Sequence, residues 1–144
     1  MIEQDTIKLY RECDAGVKMG ISSLTDVTKY IGQAELLKII GRCRDEHLEL
    51  EGEIRGRLNE YGDEGKNPNP IAKGMSWMKT NVKLAMNESD STIASLITDG
   101  CDMGVKSLSK YLNQYAAAEE HAKDTAKKLI AIEDRLSVEL RAFL

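Results

Sequence analysis

The feature that most constrains the fold is the length of the apolar stripes along the chain. Apolar residues recur every three or four positions, the spacing of one helix face, over residues 3–31, 34–61, 90–115 and 118–143. No segment sustains the alternation expected of a β-strand. Helices of this length span about 40 Å, which suits a bundle better than a compact mixed domain. The sequence therefore predicts an all-α fold, with residues 1–144 forming a single helical-bundle domain.

The connections between the stripes predict the topology. Gly32 separates the first two helices, and the last two are also tightly joined, so each pair forms an antiparallel hairpin. Between the hairpins lie the loop YGDEGKNPNP, residues 61–70, and a shorter stripe over 70–86. Ser89 or Asp90 then supplies an N-cap. A helix over 70–86 would carry the chain about 25 Å, so we expect one long crossover containing a short helix.

Composition and charge exclude several classes of protein. With 42% hydrophobic and 31% charged residues, the chain is neither disordered nor membrane-like. The net charge of −4 and the lack of a basic block argue against nucleic acid as a partner. No apolar run approaches the ~20 residues of a membrane span, and MIEQDTIKLY lacks the features of a signal peptide. Cys13, Cys43 and Cys101 fall on apolar helix faces, so we expect buried, reduced thiols and a cytoplasmic protein.

A hexapeptide occurs twice with one difference, as CDAGVK at Cys13–Lys18 and as CDMGVK at Cys101–Lys106. Both copies lie in the middle of a predicted helix, so the chain resembles two related helical hairpins. Glycines inside these helices cost about 1 kcal/mol each in helix propensity, so another interaction should offset them. Pairs spaced by four residues place a flat groove on one helix face, and we expect the first and third helices to cross closely there. The glycines concerned are Gly16, Gly20, Gly100 and Gly104.

Three features of the sequence carry a family resemblance. They are the mid-helix glycines with neighbouring acids, the segment LLKIIGRCRDEH at 36–47, and SWMKTNVKLAM at 76–86. Together they resemble the ferritin-like superfamily and, more narrowly, an uncharacterised bacterial family of small ferritin-like four-helix proteins. The resemblance covers nearly the whole chain. It implies a ferritin-like four-helix bundle of two antiparallel hairpins joined by the long crossover.

The resemblance also sets out what a di-iron site would require. Such sites use a Glu from each of two helices and a Glu-x-x-His motif from each of the other two, so that several carboxylates bridge two iron ions. Here Arg44 stands three residues before His47, and Ala118 stands three residues before His121. The family's ligand set is therefore incomplete in this chain, and a degenerate di-iron site is expected.

Counting residues from the two predicted turns nevertheless places several polar side chains at one height in mid-bundle. They are Asp14, His47, Asp102 and Glu133, with Cys43 four residues before His47. One interpretation is a buried histidine bonded to neighbouring carboxylates. A second is a mononuclear iron or zinc site that includes Cys43. A third is a di-iron oxidase. We favour the first.

The sequence therefore favours a non-catalytic binding or structural module over an enzyme, and it predicts no cofactor. We expect it to self-associate as a homo-oligomer, most simply a dimer, and to bind neither nucleic acid nor membrane. The alternative is a metal-binding ferritin-like protein or oxidase that uses the mid-bundle Asp, His and Glu side chains.

Overall fold

The computed structural model of the chain describes residues 2–68 and 89–144, and every ordered element in these two ranges is helical. The helices are α1 (Ile2–Thr28), α2 (Ala34–Glu60), α3 (Asp90–Gln114) and α4 (Glu120–Leu140), and a 3₁₀ turn, Arg141–Phe143, follows α4. The prediction of an all-α fold with four long helices is confirmed. Their ends differ from the predicted ones by a few residues. The predicted connector helix, 70–86, lies outside the described residues.

Contacts at one end of the bundle fix where α3 begins. The carboxylate of Asp90, in the first turn of α3, accepts hydrogen bonds from the backbone N–H groups of Gly32 and Gln33, each at 2.8 Å. Helix α3 therefore starts beside the turn that joins α1 to α2. The N-cap of α3 is Ser89, whose hydroxyl accepts from the backbone N–H of Thr92 at 3.1 Å, and this satisfies one of the unpaired donors at a helix start.

Contacts at the opposite end fix the α3–α4 turn. The backbone N–H of Ala117 donates to Asp5 at 3.2 Å, and that of Glu119 donates to the hydroxyl of Thr6 at 2.9 Å. The α3–α4 turn therefore lies against the start of α1. It follows that α1 and α4 run in one direction while α2 and α3 run in the other. The chain leaves α2 at one end of the bundle and enters α3 at the opposite end.

The two helices of each hairpin are antiparallel. Helix α1 contacts α2, α3 and α4, and α4 also contacts α2 and α3. Helices α1 and α4, which contact each other, run in the same direction. The core is built from the predicted apolar stripes, and burying each large aliphatic side chain contributes about 1.5–3 kcal/mol. None of the helices in the described ranges is long and apolar enough to cross a membrane. The most completely buried large side chains are Leu9, Tyr10, Leu36, Ile40, Leu50, Ile54, Leu58, Ile93, Leu129 and Leu140.

The three cysteines should be unreactive in the folded protein. Cys13, Cys43 and Cys101 are at most 2% exposed, and burial raises the pKa of Cys13 to about 12, with the acids Glu12 and Asp14 raising it further. Because the thiolate is the reactive form, an aromatic disulfide reagent should label these thiols only as the protein unfolds. The control is Met103→Cys, at a position that is 69% exposed, which should react at once. Fast labelling of all three native cysteines would show that the helix phases are wrong.

Candidate functional site

The centre of the bundle holds a buried histidine bonded on both ring nitrogens. His47, on α2, is 0% exposed. Its Nδ1 lies 2.8 Å from the carbonyl oxygen of Cys43, one turn earlier, and its Nε2 lies 2.7 Å from Oε1 of Glu133 on α4. A backbone carbonyl can only accept a hydrogen bond, so Nδ1 carries a hydrogen, and with Glu133 ionised Nε2 carries one as well. His47 is therefore an imidazolium, and with Glu133 it forms an ion pair that joins α2 to α4.

The electrostatic surroundings of His47 agree with this protonation state. Burial lowers the pKa of His47, but the contacts with the Cys43 thiol and with Glu133, and the charge of the Glu133 carboxylate, raise it by more, to about 10. The side chains of His47 and Glu133 are only 1% and 13% exposed, so water screens the pair weakly. Removing one partner from such a pair leaves an uncompensated buried charge, which typically costs 3–5 kcal/mol.

Gly20 on α1 makes the space that the imidazole occupies. A Cβ built at Gly20 would lie 2.7 Å from both Cδ2 and Nε2 of His47, closer than real Cβ atoms approach other atoms. The ring therefore fits only because residue 20 has no side chain. This is the interaction that offsets the helix-propensity cost of this glycine.

The other three mid-helix glycines have looser surroundings. A Cβ at Gly16 would lie 3.7 Å from Leu129, and one at Gly104 would lie 3.9 Å from Glu133, both at ordinary contact distance. A Cβ at Gly100 would meet no atom of the described residues within 4 Å. Where neighbours occur, the nearest belong to α2 and α4. We predicted instead that these glycines let α1 and α3 cross closely.

All four glycines line a groove between α1 and α3, which encloses about 850 Å³. His47, Glu133 and Cys101 contribute to its wall. The small residues thus line a space between the two helices within the described part of the chain. The carboxylate of Glu133 is the charged group of the ion pair that is closest to solvent.

The structure brings together only part of the predicted cluster. His47, Glu133 and Cys43 meet, and Sγ of Cys43 lies 3.6 Å from Nδ1 of His47. Asp14 is buried, at 2% exposed, but its partners are on α1 and in the segment after α2. Asp102 is exposed on the surface of α3. It follows Cys101 directly, and a step of one residue turns the side chain by about 100° away from the buried face.

Cys101 lies near the ion pair, although from the sequence we assigned this cysteine only to the core. Burial raises the pKa of its thiol, and the carboxylate of Glu133 raises it further. Cys101 and Glu133 both lie 16 residues from Ala117 in the α3–α4 turn. That equal spacing was the signal in the sequence that placed them at one height.

A second series of polar contacts, not predicted from the sequence, lies at the end of the bundle near the α3–α4 turn. The hydroxyl of Tyr10 lies 2.6 Å from Nδ1 of His121, and Nε2 of His121 lies 2.5 Å from Glu119. We predicted that His121 lies on the surface, far from His47, and its side chain is 30% exposed. The Tyr10–His121 bond ties the start of α1 to the start of α4. No sequence motif marks a partnership over 111 residues.

The chemical capacity of the His47 site follows from its protonation. An imidazolium whose two N–H groups are both bound to acceptors has no lone pair for a metal ion or for a proton. Within residues 2–68 and 89–144, no group of three or more His, Cys, Asp or Glu side chains is placed to hold a metal ion. Comparison with protein-family models, curated proteins and solved structures found no match.

Gly20→Ala should destabilise the protein because the new methyl group would displace His47. We expect the free energy of unfolding to fall by about 1–3 kcal/mol, as in other overpacked cores. The matched control is Gly100→Ala, where the methyl group meets no described atom within 4 Å. That substitution should raise the free energy of unfolding by up to about 1 kcal/mol through helix propensity. Equal urea midpoints for the two variants would contradict this role of Gly20.

The His47–Glu133 pair should make stability depend on pH in a defined direction. The pKa of His47 in the folded protein, about 10, lies above its ordinary value of 6.5. The stabilisation by protonated His47 is therefore fully present below about pH 6.5 and is lost as the pH rises through 10. The difference in unfolding free energy between the wild type and His47→Leu, measured in urea at several pH values, should shrink over that range. An NMR titration of His47 with its midpoint near 6.5 would contradict the assignment.

Proposed function

We propose that this chain is a ferritin-like bundle that serves as a non-catalytic binding or structural module. In it, the His47–Glu133 ion pair takes the position that a metal centre has in the metal-binding members. The arrangement of the helices supports this proposal. The helices of each hairpin are antiparallel, and the end of α2 and the start of α3 lie at opposite ends of the bundle. A long crossover between the hairpins is the connection that such an arrangement requires.

The observation that carries the proposal is the bonding of His47. Nδ1 lies 2.8 Å from the Cys43 carbonyl and Nε2 lies 2.7 Å from Glu133, so with Glu133 ionised both ring nitrogens donate. A histidine that binds a metal ion must present a lone pair from one nitrogen. The protonated ring presents no such lone pair, which supports a site filled by a pair of opposite charges.

The positions of the predicted carboxylates also support a non-catalytic function. Bridging two iron ions needs several carboxylates that converge on one point. Of the three predicted carboxylates, only that of Glu133 contacts His47. Asp14 accepts hydrogen bonds from Lys18 and from the backbone of Lys66, while Asp102 is exposed. The chain therefore lacks, in its described part, the acidic groups that oxidase chemistry would need.

One observation favours a second candidate, a zinc-binding protein. Nδ1 of His47 bonds to a backbone carbonyl. Metal-binding histidines are commonly oriented in this way, with the other ring nitrogen, here Nε2, directed at the metal ion. Glu133 is at that nitrogen, and the Cys101 thiol lies close enough to be affected by the same carboxylate. Loss of the imidazolium proton would leave a nitrogen and an oxygen of the kind that zinc accepts, and the described residues place no third His, Cys, Asp or Glu side chain to complete such a site.

Metal analysis separates the two candidates. Protein purified without added metal should contain no stoichiometric iron or zinc, and titration with iron(II) or zinc(II) should show no saturable binding at neutral pH. His47→Leu should leave this result unchanged. The controls are Glu119→Ala and His121→Ala, which alter the other histidine. About one or two metal ions per wild-type chain, lost in His47→Leu and kept in both controls, would overturn the proposal in favour of the metal-binding candidate.

A further inference from the structure

Residues 62–68, which follow α2, form a strap along the surface of α1. Asp63 pairs with Arg11 at 3.2 Å, and Nζ of Lys66 pairs with Glu12 at 2.5 Å. The backbone N–H of Lys66 also donates to Oδ2 of Asp14 at 3.0 Å. The strap is thus held to one turn of α1 mainly by charged and polar contacts.

Asp14 is the most buried of these contacts. Its side chain is 4% exposed and also accepts a hydrogen bond from Lys18 at 2.7 Å. Gly65 packs directly on this carboxylate: its φ is +89°, and a Cβ there would lie 2.4 Å from Oδ2 of Asp14. A positive φ and the missing space both restrict this position to glycine. The strap therefore closes on Asp14 with a specific fit.

The second hexapeptide shows that the strap, and not the helix, buries Asp14. Asp102 and Lys106 have the same spacing in α3 as Asp14 and Lys18 have in α1. Both residues of the α3 pair are exposed. The same local sequence gives a buried carboxylate only where the strap crosses it.

The strap also forms one end of the groove between α1 and α3. Lys66 and Pro68 line the groove together with Glu12 and Tyr111. Burial raises the pKa of Tyr111, and the charge of Glu12 raises it further while Lys66 lowers it. The groove end is therefore a cluster of polar groups that depends on the position of the strap.

We propose that the strap is a latch on the groove: it opens as a local unit when the Asp14 contacts break, while the four helices stay packed. Partly exposed ion pairs contribute little individually, and segments held by such contacts open at lower free energy than the core. Gly62, with φ of +68°, and the bond from the Asp63 backbone N–H to the Leu58 carbonyl close the end of α2, so the strap opens beyond this cap. Opening changes the groove at Lys66 and Pro68 and leaves the His47–Glu133 pair in place. The inference does not depend on the metal content of the protein.

Amide hydrogen exchange at neutral pH tests the latch. In the wild type, the Lys66 amide should exchange faster than the core amides of α1 and α4, because the strap opens without unfolding of the helices. In Asp14→Asn its exchange should be at least tenfold faster than in the wild type, with the core amides unchanged. Asp102→Asn, in the matching hexapeptide, should alter nothing. Lys18→Met, which removes the cation and leaves the carboxylate, gives a second variant that should also speed exchange at Lys66.

Two results would overturn the proposal. The first is a Lys66 amide whose exchange is the same in the wild type, Asp14→Asn and Lys18→Met. The second is a wild-type Lys66 amide that exchanges only as slowly as the slowest core amides, since the strap would then open only on global unfolding.

Discussion

The ion pair between His47 and Glu133 is the interaction on which the middle of this bundle depends. A charged imidazole in a helical core is stable only with acceptors on both nitrogens, and the chain supplies one from the same helix and one from α4. The ring then requires space on α1, and Gly20 provides it. One charged side chain thus fixes residues on three helices.

The near-identical hexapeptides show that the same residues have different environments when the tertiary contacts differ. Both cysteines are buried, because their positions on the helical stripe decide their environment. The aspartates differ, because Asp14 lies under the strap while Asp102 faces solvent. The glycines also differ, since Gly20 accommodates a ring while Gly100 meets no described atom within 4 Å. The repeat is consistent with two related hairpins and says little about a shared function.

Much of the fold follows from the sequence because helical periodicity is a local property. The stripes of apolar residues predicted four helices, and the phase of α2 predicted that His47 is buried. Equal distance from the turns predicted that His47 and Glu133 lie at similar heights. Height alone does not determine direction, and Asp14 and Asp102, which were predicted at the same height, have their side chains elsewhere. The strap contact with Asp14 and the Tyr10–His121 bond depend on how distant segments meet, which no local pattern encodes.

The polar contacts between the two hairpins explain how one register of the bundle is selected. Apolar stripes can pack in several neighbouring registers with similar energies, because hydrophobic contact is not directional. Directional bonds occur at three levels: Asp90 with the α1–α2 turn, His47 with Glu133 in the middle, and Tyr10 with His121 at the other end.

Each of these bonds joins a residue of the first hairpin to one of the second. A shift of one hairpin along the other would break all three. The His47–Glu133 pair is the buried one, and leaving its groups unpaired would cost about 1–3 kcal/mol or more. A buried ion pair adds little net stability compared with a well-packed apolar pair. Its position between the hairpins gives it a role in specificity, because it penalises every register but one.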